Sequence, residues 1–268
     1  MIRMVGVVIP ASNEELGIGA CLAALAQTRT HLRIVAAHDV DVRILVVLDS
    51  CFDLTARIVG RHGAESLTSD AGQVGAARAA GVERILADAS VPRSQLWLAN
   101  TDADSIVPRD WLARMVEEAD CGAHVVLGTV VPGPGLQPAT QRIWARHHHL
   151  RENHPHVHGA NFGIRADTYT ALGGWPALDS GEDVALAQRA TRTAHVQVVR
   201  TASIPVSTST RESGRAPRGF SSYLRGITPI PPRPKGGIRS LLNMSERYYG
   251  VTFRGRTGPA VQHKTDVV

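Results

Sequence analysis

Short apolar runs, each stopping at a polar or acidic residue and separated by amphipathic stretches, constrain the fold of this chain more than any other feature. Residues 5–10, 42–48 and 96–99 are nearly continuous apolar segments of strand length. Runs without polar alternation belong to strands buried on both faces. Between them, Ile18, Cys21, Leu22 and Leu25 recur at helical spacing, as do Leu54, Ile58 and Val59, and later Trp111, Leu112, Met115 and Val116. A weak strand at 64–67 and an Ala-rich helix over 72–87 complete the first half. This alternation predicts an α/β fold: a mostly parallel, Rossmann-like sheet flanked by helices. Ser12 or Asn13 is expected to cap the first helix and Asp53 the second, with Pro108 in the first turn of the fourth. Further strands are predicted at 124–131 and 159–164, with the last core strand at 196–199. Helices are predicted around Ile143 and Trp144, over 168–172 and over 184–190.

The acids at the ends of these runs carry the chemistry. Asp102 and Asp104 follow the run 96–99 at spacing i, i+2, which projects both carboxylates to one side. They stand at a strand's carboxyl end, where open α/β sheets bind ligands. Crowded carboxylates favour a cation between them, and hard oxygens suit Mg²⁺ or Mn²⁺. Read alone, the same residues also serve as an acidic strand-to-helix loop. Asp49 ends the second strand at the same edge, fitted either to accept from a base or ribose or to share a helix cap with Asp53. Arg78 reads as a phosphate or base contact, or as a surface arginine. Glu182 and Asp183 open a helix after Gly181, as capping acids or, for Asp183, as a general base. Gly17-Ile-Gly19 lacks the third glycine of a dinucleotide fingerprint. Asn13-Glu14-Glu15 fills its phosphate turn with carboxylates, which excludes a nicotinamide site.

Six histidines lie between His147 and His158. The three at 147–149 are adjacent on a predicted helix and diverge, with no cysteine or H-E-x-x-H nearby, so zinc is not expected. His158, just before the strand at 159, is the one best placed to touch substrate. Cys21, Cys51 and Cys121 are scattered, which argues against a disulfide framework; each reads as a small buried apolar residue.

Charge divides the chain. From Ser207 onward eleven Lys/Arg face three Asp/Glu, a balance of +8, whereas residues 1–206 hold 18 basic and 21 acidic residues, a balance of −3. The expected organisation is one domain over 1–206. A basic, partly flexible extension over 207–268 follows. No apolar run reaches the ~20 residues of a membrane span, and no secretory pattern opens the chain. The expected compartment is the cytoplasm, with the basic extension as a means of peripheral contact with an anionic membrane. Arg211, Arg215 and Arg218 cluster just after the core as candidates for a lid.

Six motifs occur in a telling order: Val7-Val-Ile-Pro-Ala-Ser-Asn-Glu-Glu15, Val46-Val-Leu-Asp-Ser-Cys-Phe-Asp-Leu-Thr55, Gly75-Ala-Ala-Arg-Ala-Ala-Gly81, Asn100-Thr-Asp-Ala-Asp104, Gly159-Ala-Asn-Phe-Gly163 and Gly181-Glu-Asp183. Over residues 5 to 200 the chain resembles family 2 glycosyltransferases of the GT-A fold. The resemblance implies a single GT-A domain that transfers sugar from a nucleotide-sugar donor to an acceptor hydroxyl, with inversion. It places the donor at Pro10, Ala11, Ser12, Asn13, Asp49, Arg78 and the D-x-D of Asp102, Ala103 and Asp104. A divalent metal sits on Asp102 and Asp104, and Asp183 is the catalytic base. His158, Gly159, Asn161 and Glu182 form the sugar or acceptor pocket. The resemblance also divides the domain into a nucleotide-sugar binding part to about 105 and an acceptor part over about 106–206; the acceptor itself is left open between a small and a lipid-linked molecule, and nucleic acid is not expected as a partner. Leu48 departs from the family, which often has an acid there. Two other activities fit parts of the pattern. A nucleotidyltransferase shares the sheet and acids but needs a basic, glycine-rich loop where Asn13-Glu14-Glu15 stands. A non-catalytic nucleotide-sugar binding protein has no use for Asp183.

Overall fold

A computed structural model describes residues 1–148, 150–178 and 180–211 together with Gly226, all within the unit Met1–Thr228. Among them, eight strands form one sheet: β1 (Met4–Ala11), β2 (Asp41–Asp49), β3 (Glu65–Ser69), β4 (Leu96–Asn100), β5 (Ser105–Ile106), β6 (Val125–Pro132), β7 (Phe162–Arg165) and β8 (Val198–Thr208). Their spatial order is β3-β2-β1-β4-β7-β6-β8-β5. The first four neighbours run parallel. β7 lies antiparallel between β4 and β6, β8 runs parallel to β6, and the short β5 closes antiparallel on β8. The helices are α1 (Ile18–Val35), α2 (Thr55–Arg61), α3 (Val74–Asp88), α4 (Trp111–Asp120), α5 (Pro138–His147), α6 (Ala166–Ala171) and α7 (Glu182–Arg192). None of the described helices is long and apolar enough to cross a membrane.

The apolar runs are unbroken because alternate residues feed two cores. Val5, Val7 and Ile9 of β1, with Trp97 and Ala99 of β4, pack against α1 and α4. Met4 and Val8, with Leu96 and Leu98, pack against α3, α6 and α7 on the other face. Trp97, Trp111 and Phe162 are among the largest fully buried side chains, each worth roughly 1.5–3 kcal/mol of burial.

Several expectations need correcting. Neither Ser12 nor Asn13 caps α1, which starts later, at Ile18, without a side-chain cap. Asn13 instead adopts φ +54° and turns toward the β2–α2 loop. Pro108 precedes α4 and accepts the Trp111 N–H at 3.1 Å rather than joining its first turn. The predicted strand over 159–164 begins as a 3-10 turn at Gly159–Asn161 and becomes extended only at Phe162. β8 is much longer than the apolar signal at 196–199, because pairing with β6 and β5 carries it through Pro205 to Thr208. Cys121 is exposed, and Cys51 is half-buried with its thiol on the Ala11 carbonyl at 3.3 Å, so only Cys21 is the buried apolar residue expected.

Candidate active site

The carboxyl ends of β1, β2 and β4 and the amino end of α7 bring the predicted acids to one edge of the sheet. The turn after β4 carries Asp102 and Asp104 around a buried Ala103. The start of α1 packs directly onto this turn: a Cβ on Gly17 would lie 3.0 Å from the Asp104 Cα and 3.2 Å from the Ala103 oxygen. Gly17 thus serves close packing of a helix N-terminus against an acidic turn, a favourable arrangement for both.

Arg78 joins the two acidic pairs. It is 2% exposed, hence no surface arginine. One guanidinium nitrogen meets Asp102 Oδ1 at 2.5 Å and the other bonds Glu182 Oε1. Trp175 covers the guanidinium with its ring centre 5.4 Å away. Burial opposes the Arg78 charge, but Asp102, Glu182 and Asp183 outweigh it and hold the pKa above its ordinary value. Glu182 is itself shifted upward, because burial exceeds the attraction of Arg78. Gly159 lies against the guanidinium so closely that a Cβ there would come within 2.5 Å of it.

Asp104 has a different environment. Burial first, and then the charge of Asp102, push its carboxyl up to about 6. The Thr208 hydroxyl at the end of β8 donates to Oδ1 at 3.4 Å and in turn receives the Ser105 hydroxyl at 2.9 Å. Beyond β8, Arg211 places one nitrogen 3.1 Å from Asp104 Oδ2. The same guanidinium grips Glu14 with two bonds of 2.7 Å. Glu14 was missed by sequence reasoning, which read it as one of the carboxylates in the turn after the first strand. It is buried ahead of α1, its carbonyl accepting the Gly17 and Ile18 N–H groups. The available signal was an acid placed directly behind a buried strand. Arg215 and Arg218 lie outside the described residues.

Pro10, Ala11, Ser12 and Asn13 form the end of β1 and the turn beyond it. Asn13 Oδ1 accepts the backbone N–H groups of Phe52 and Asp53, at 2.9 and 3.3 Å, and Glu15 N–H donates to Asp53 at 3.0 Å. Asp49 is buried and accepts the Gly72 N–H at 3.1 Å, bracing the loop before α3. Asp49 is therefore not shared with the start of α2, where Asp53 accepts the Thr55 N–H at 2.9 Å and Glu15 the Leu54 N–H at 3.1 Å; the N-cap residue is Leu54, without a capping side chain, contrary to the cap expected at Asp53.

Asp183, half-buried at the start of α7, accepts the Gly159 N–H at 2.7 Å and the Val184 N–H at 2.8 Å, which fixes its carboxylate. His158 adjoins Gly159 at the inner end of an aromatic column. Trp144, His148, His156 and His158 follow one another with ring centres 4.7, 4.9 and 6.1 Å apart. Burial, reinforced by the neighbouring histidines, pulls the His158 pKa down to about 4, so the ring is neutral at pH 7. α5 ends at His147 and His148 is extended, so His148 is not helical as expected; His149 lies outside the described residues.

Asn161 does not line a pocket, contrary to expectation. It is fully buried, with Oδ1 accepting from Trp111 Nε1 at 2.9 Å and Nδ2 donating to the Thr129 and Ile204 carbonyls at 2.8 and 2.7 Å. Those bonds use both its donors and its acceptor to tie α4, β6 and β8 together.

Comparison with known proteins places this arrangement. Similar solved structures include the mannosyltransferase PcManGT of Pyrobaculum calidifontis, in complex with GDP-Man and Mn²⁺. It is 21% identical with a TM-score of 0.57, the match covering 80% of this chain and 59% of that one. The 1–349 fragment of Staphylococcus aureus TarS matches at 16% identity and TM-score 0.52, over 77% of this chain and 60% of that one. Glucosyl-3-phosphoglycerate synthase of Mycobacterium tuberculosis, with Mn²⁺, UDP-Glc and phosphoglyceric acid, matches at 16% identity and TM-score 0.51, over 84% and 78%. This chain thus spans less than two thirds of the first two. No curated protein sequence matches it. The family model described as glycosyl transferase family 2 matches residues 6–171, more than half of the chain. With its α/β sheet of GT-A type, the chain belongs to glycosyl transferase family 2.

Proposed function

We propose that this glycosyltransferase moves a sugar from a nucleotide-sugar donor to an acceptor hydroxyl, with inversion, using Mg²⁺ or Mn²⁺ held by Asp102 and Asp104. The strongest support is the linkage of the Asp102–Asp104 turn to the Glu182–Asp183 helix start through one buried arginine, Arg78. That linkage joins the Asp102–Asp104 turn to the helix start that carries Asp183, which supports reading them as one site.

The residues fit a divalent cation. Their donors are hard carboxylate oxygens, and burial together with the neighbouring Asp102 charge pushes the Asp104 carboxyl up to about 6, a cost to its ionised form that a cation would relieve. Bound there, the cation supplies neutralisation of the charge that builds on a departing nucleoside diphosphate.

The remaining roles fall to the chain. Pro10–Asn13 and Asp49 form the floor for base and ribose. Arg78 holds Asp102 in place from below. Asp183 takes the proton of the acceptor hydroxyl as that oxygen bonds to the sugar carbon and the bond to the diphosphate breaks. The diphosphate leaves as an anion, so no second acid is required, and in-line attack by the acceptor oxygen, deprotonated by one base, gives inversion. Neutral His158 and Gly159 border the acceptor side. The fold shared with proteins bound to GDP-Man and UDP-Glc supports this class of donor.

The test is the kinetic split of Asp183→Asn. Turnover is expected to fall about 10²–10⁴-fold while donor affinity, measured calorimetrically with Mn²⁺, stays at the wild-type value. A parallel loss of donor affinity would make Asp183 a donor ligand or a structural cap instead.

A further inference from the structure

Among the described residues two arginines touch the acid pair after β4, and they are built differently. Arg78 is sealed under Trp175, its side chain 3% exposed and committed to Glu182 as well as Asp102. Arg211 is 38% exposed and reaches the site from the chain just past β8. The end of β8 is fixed at the rim by the Gly133 N–H on the Thr208 carbonyl at 2.7 Å and by the Thr210 hydroxyl on the Pro134 carbonyl at 3.2 Å. From that anchor Arg211 spans to Glu14 and Asp104 at once.

Glu14 makes this arrangement specific. Its side chain is 9% exposed, its own N–H donates to the Thr55 hydroxyl at 2.7 Å, and its two oxygens face the two terminal nitrogens of Arg211. A desolvated carboxylate needs such a partner. The fork geometry that matches a carboxylate also matches two oxygens of a phosphate.

We infer that Arg211 is a resident counter-cation of the acid pair, which must leave Asp104 before a divalent cation can use it, and that Glu14 is the positioning residue keeping Arg211 within reach of the incoming diphosphate. This rests on the proposed donor site and extends it to two further residues. In the free protein Arg211 neutralises Glu14 and Asp104. On donor binding it gives up Asp104 and directs its fork to the diphosphate, so one side chain serves as placeholder first and phosphate ligand afterwards. No bond is made or broken in this exchange beyond hydrogen bonds and ion pairs.

The experiment uses the full chain and needs no acceptor. Mn²⁺ binding without nucleotide is measured by the loss of its free electron-paramagnetic signal, for wild type, Arg211→Gln, Glu14→Gln and the double variant. Binding of GDP and UDP at saturating Mn²⁺ is measured by calorimetry on the same proteins. Arg211→Gln is expected to bind Mn²⁺ alone about tenfold more tightly, since one charged hydrogen bond no longer competes, yet to bind the diphosphates about tenfold more weakly. Arg211→Lys keeps the charge but not the fork, so Mn²⁺ affinity should stay near wild type while diphosphate affinity falls. Glu14→Gln should weaken diphosphate binding only where Arg211 is present, making the double variant no worse than Arg211→Gln. Unchanged or weaker Mn²⁺ binding by Arg211→Gln overturns the inference. So does a Glu14→Gln defect in Mn²⁺ binding that persists without Arg211, which would make Glu14 a metal ligand. Wild-type protein that binds neither Mn²⁺ nor the diphosphates overturns the donor-site reading itself, a result distinct from both.

Discussion

The Asp102–Asp104 turn and the Glu182–Asp183 helix start are both acidic pairs at the same edge of the sheet, yet their charge is balanced by different means. At the helix start everything is fixed. Glu182 is held by a buried arginine, and Asp183 by the backbone N–H groups of Gly159 and Val184. At the turn only Asp102 has a buried partner; Asp104 relies on a hydroxyl and on an arginine that solvent can reach. Fixed hydrogen bonds suit a base that must keep one orientation through each turnover. A replaceable counter-charge suits a place where cargo comes and goes. Arg78 bridges the two styles, belonging to the permanent side while steadying the exchangeable one.

The bluntest way to break this contrast is Arg78→Met. It leaves Glu182 and Asp102 without their buried cation, and removing one partner from such a pair typically costs about 3–5 kcal/mol. Chemical denaturation at pH 7 should show a loss of that size. The same measurement on Arg211→Gln should show a smaller loss, about 1–3 kcal/mol, because the arginine is 38% exposed although it leaves the buried Glu14 without its fork.

A narrower probe concerns the aromatic column beside the fixed pair. The folded His158 pKa of about 4 lies below its usual 6.5, so between those values the unfolded chain binds the extra proton. Stability therefore rises with pH across that window and is lost on acidification through it, by at most about 3 kcal/mol. His158→Gln should flatten this slope in a pH series of thermal melts. An unaltered slope would mean that the column does not keep the ring neutral.

A further probe belongs to the exchangeable side and has the opposite sign. Asp104 has a folded pKa of about 6 against 3.8, so here the folded chain holds the extra proton. Without metal, stability should fall as pH rises from 4 to 6, by about 2–3 kcal/mol at most. Asp104→Asn should remove this fall in EDTA and match wild type near pH 4. Added Mn²⁺ should narrow the difference at pH 7 by stabilising only the wild type.

Much of this architecture was readable from the chain, for definite reasons. The runs that became β1, β2 and β4 are unbroken because they feed two cores, and the i, i+2 acids needed only a strand end to share a site. Direction was not readable: β7 is antiparallel, and apolar periodicity is the same either way along a strand. Partners distant in sequence were also hidden. Nothing near Glu14 announces an arginine 197 positions later, and nothing near Arg78 announces Glu182, 104 positions away. Asn161 misled because a polar residue after Gly159 looks like a ligand, whereas its amide is consumed by Trp111 and two strands. The expected caps of α1 failed because Asn13 had a stronger use for its oxygen in the neighbouring loop.

That use of Asn13 bears on how such a protein can be re-engineered. The loop after β1 and the loop after β2 are stitched together by Asn13 on Phe52 and Asp53, Glu15 on Asp53 and Leu54, and Cys51 on Ala11. They behave as one cassette, and substitutions in the two halves should couple instead of adding. A graft that imports one loop from a relative would arrive without the acceptors that its backbone expects. Transplanting both together, from Pro10 to Glu15 and from Asp49 to Thr55, keeps the seam intact.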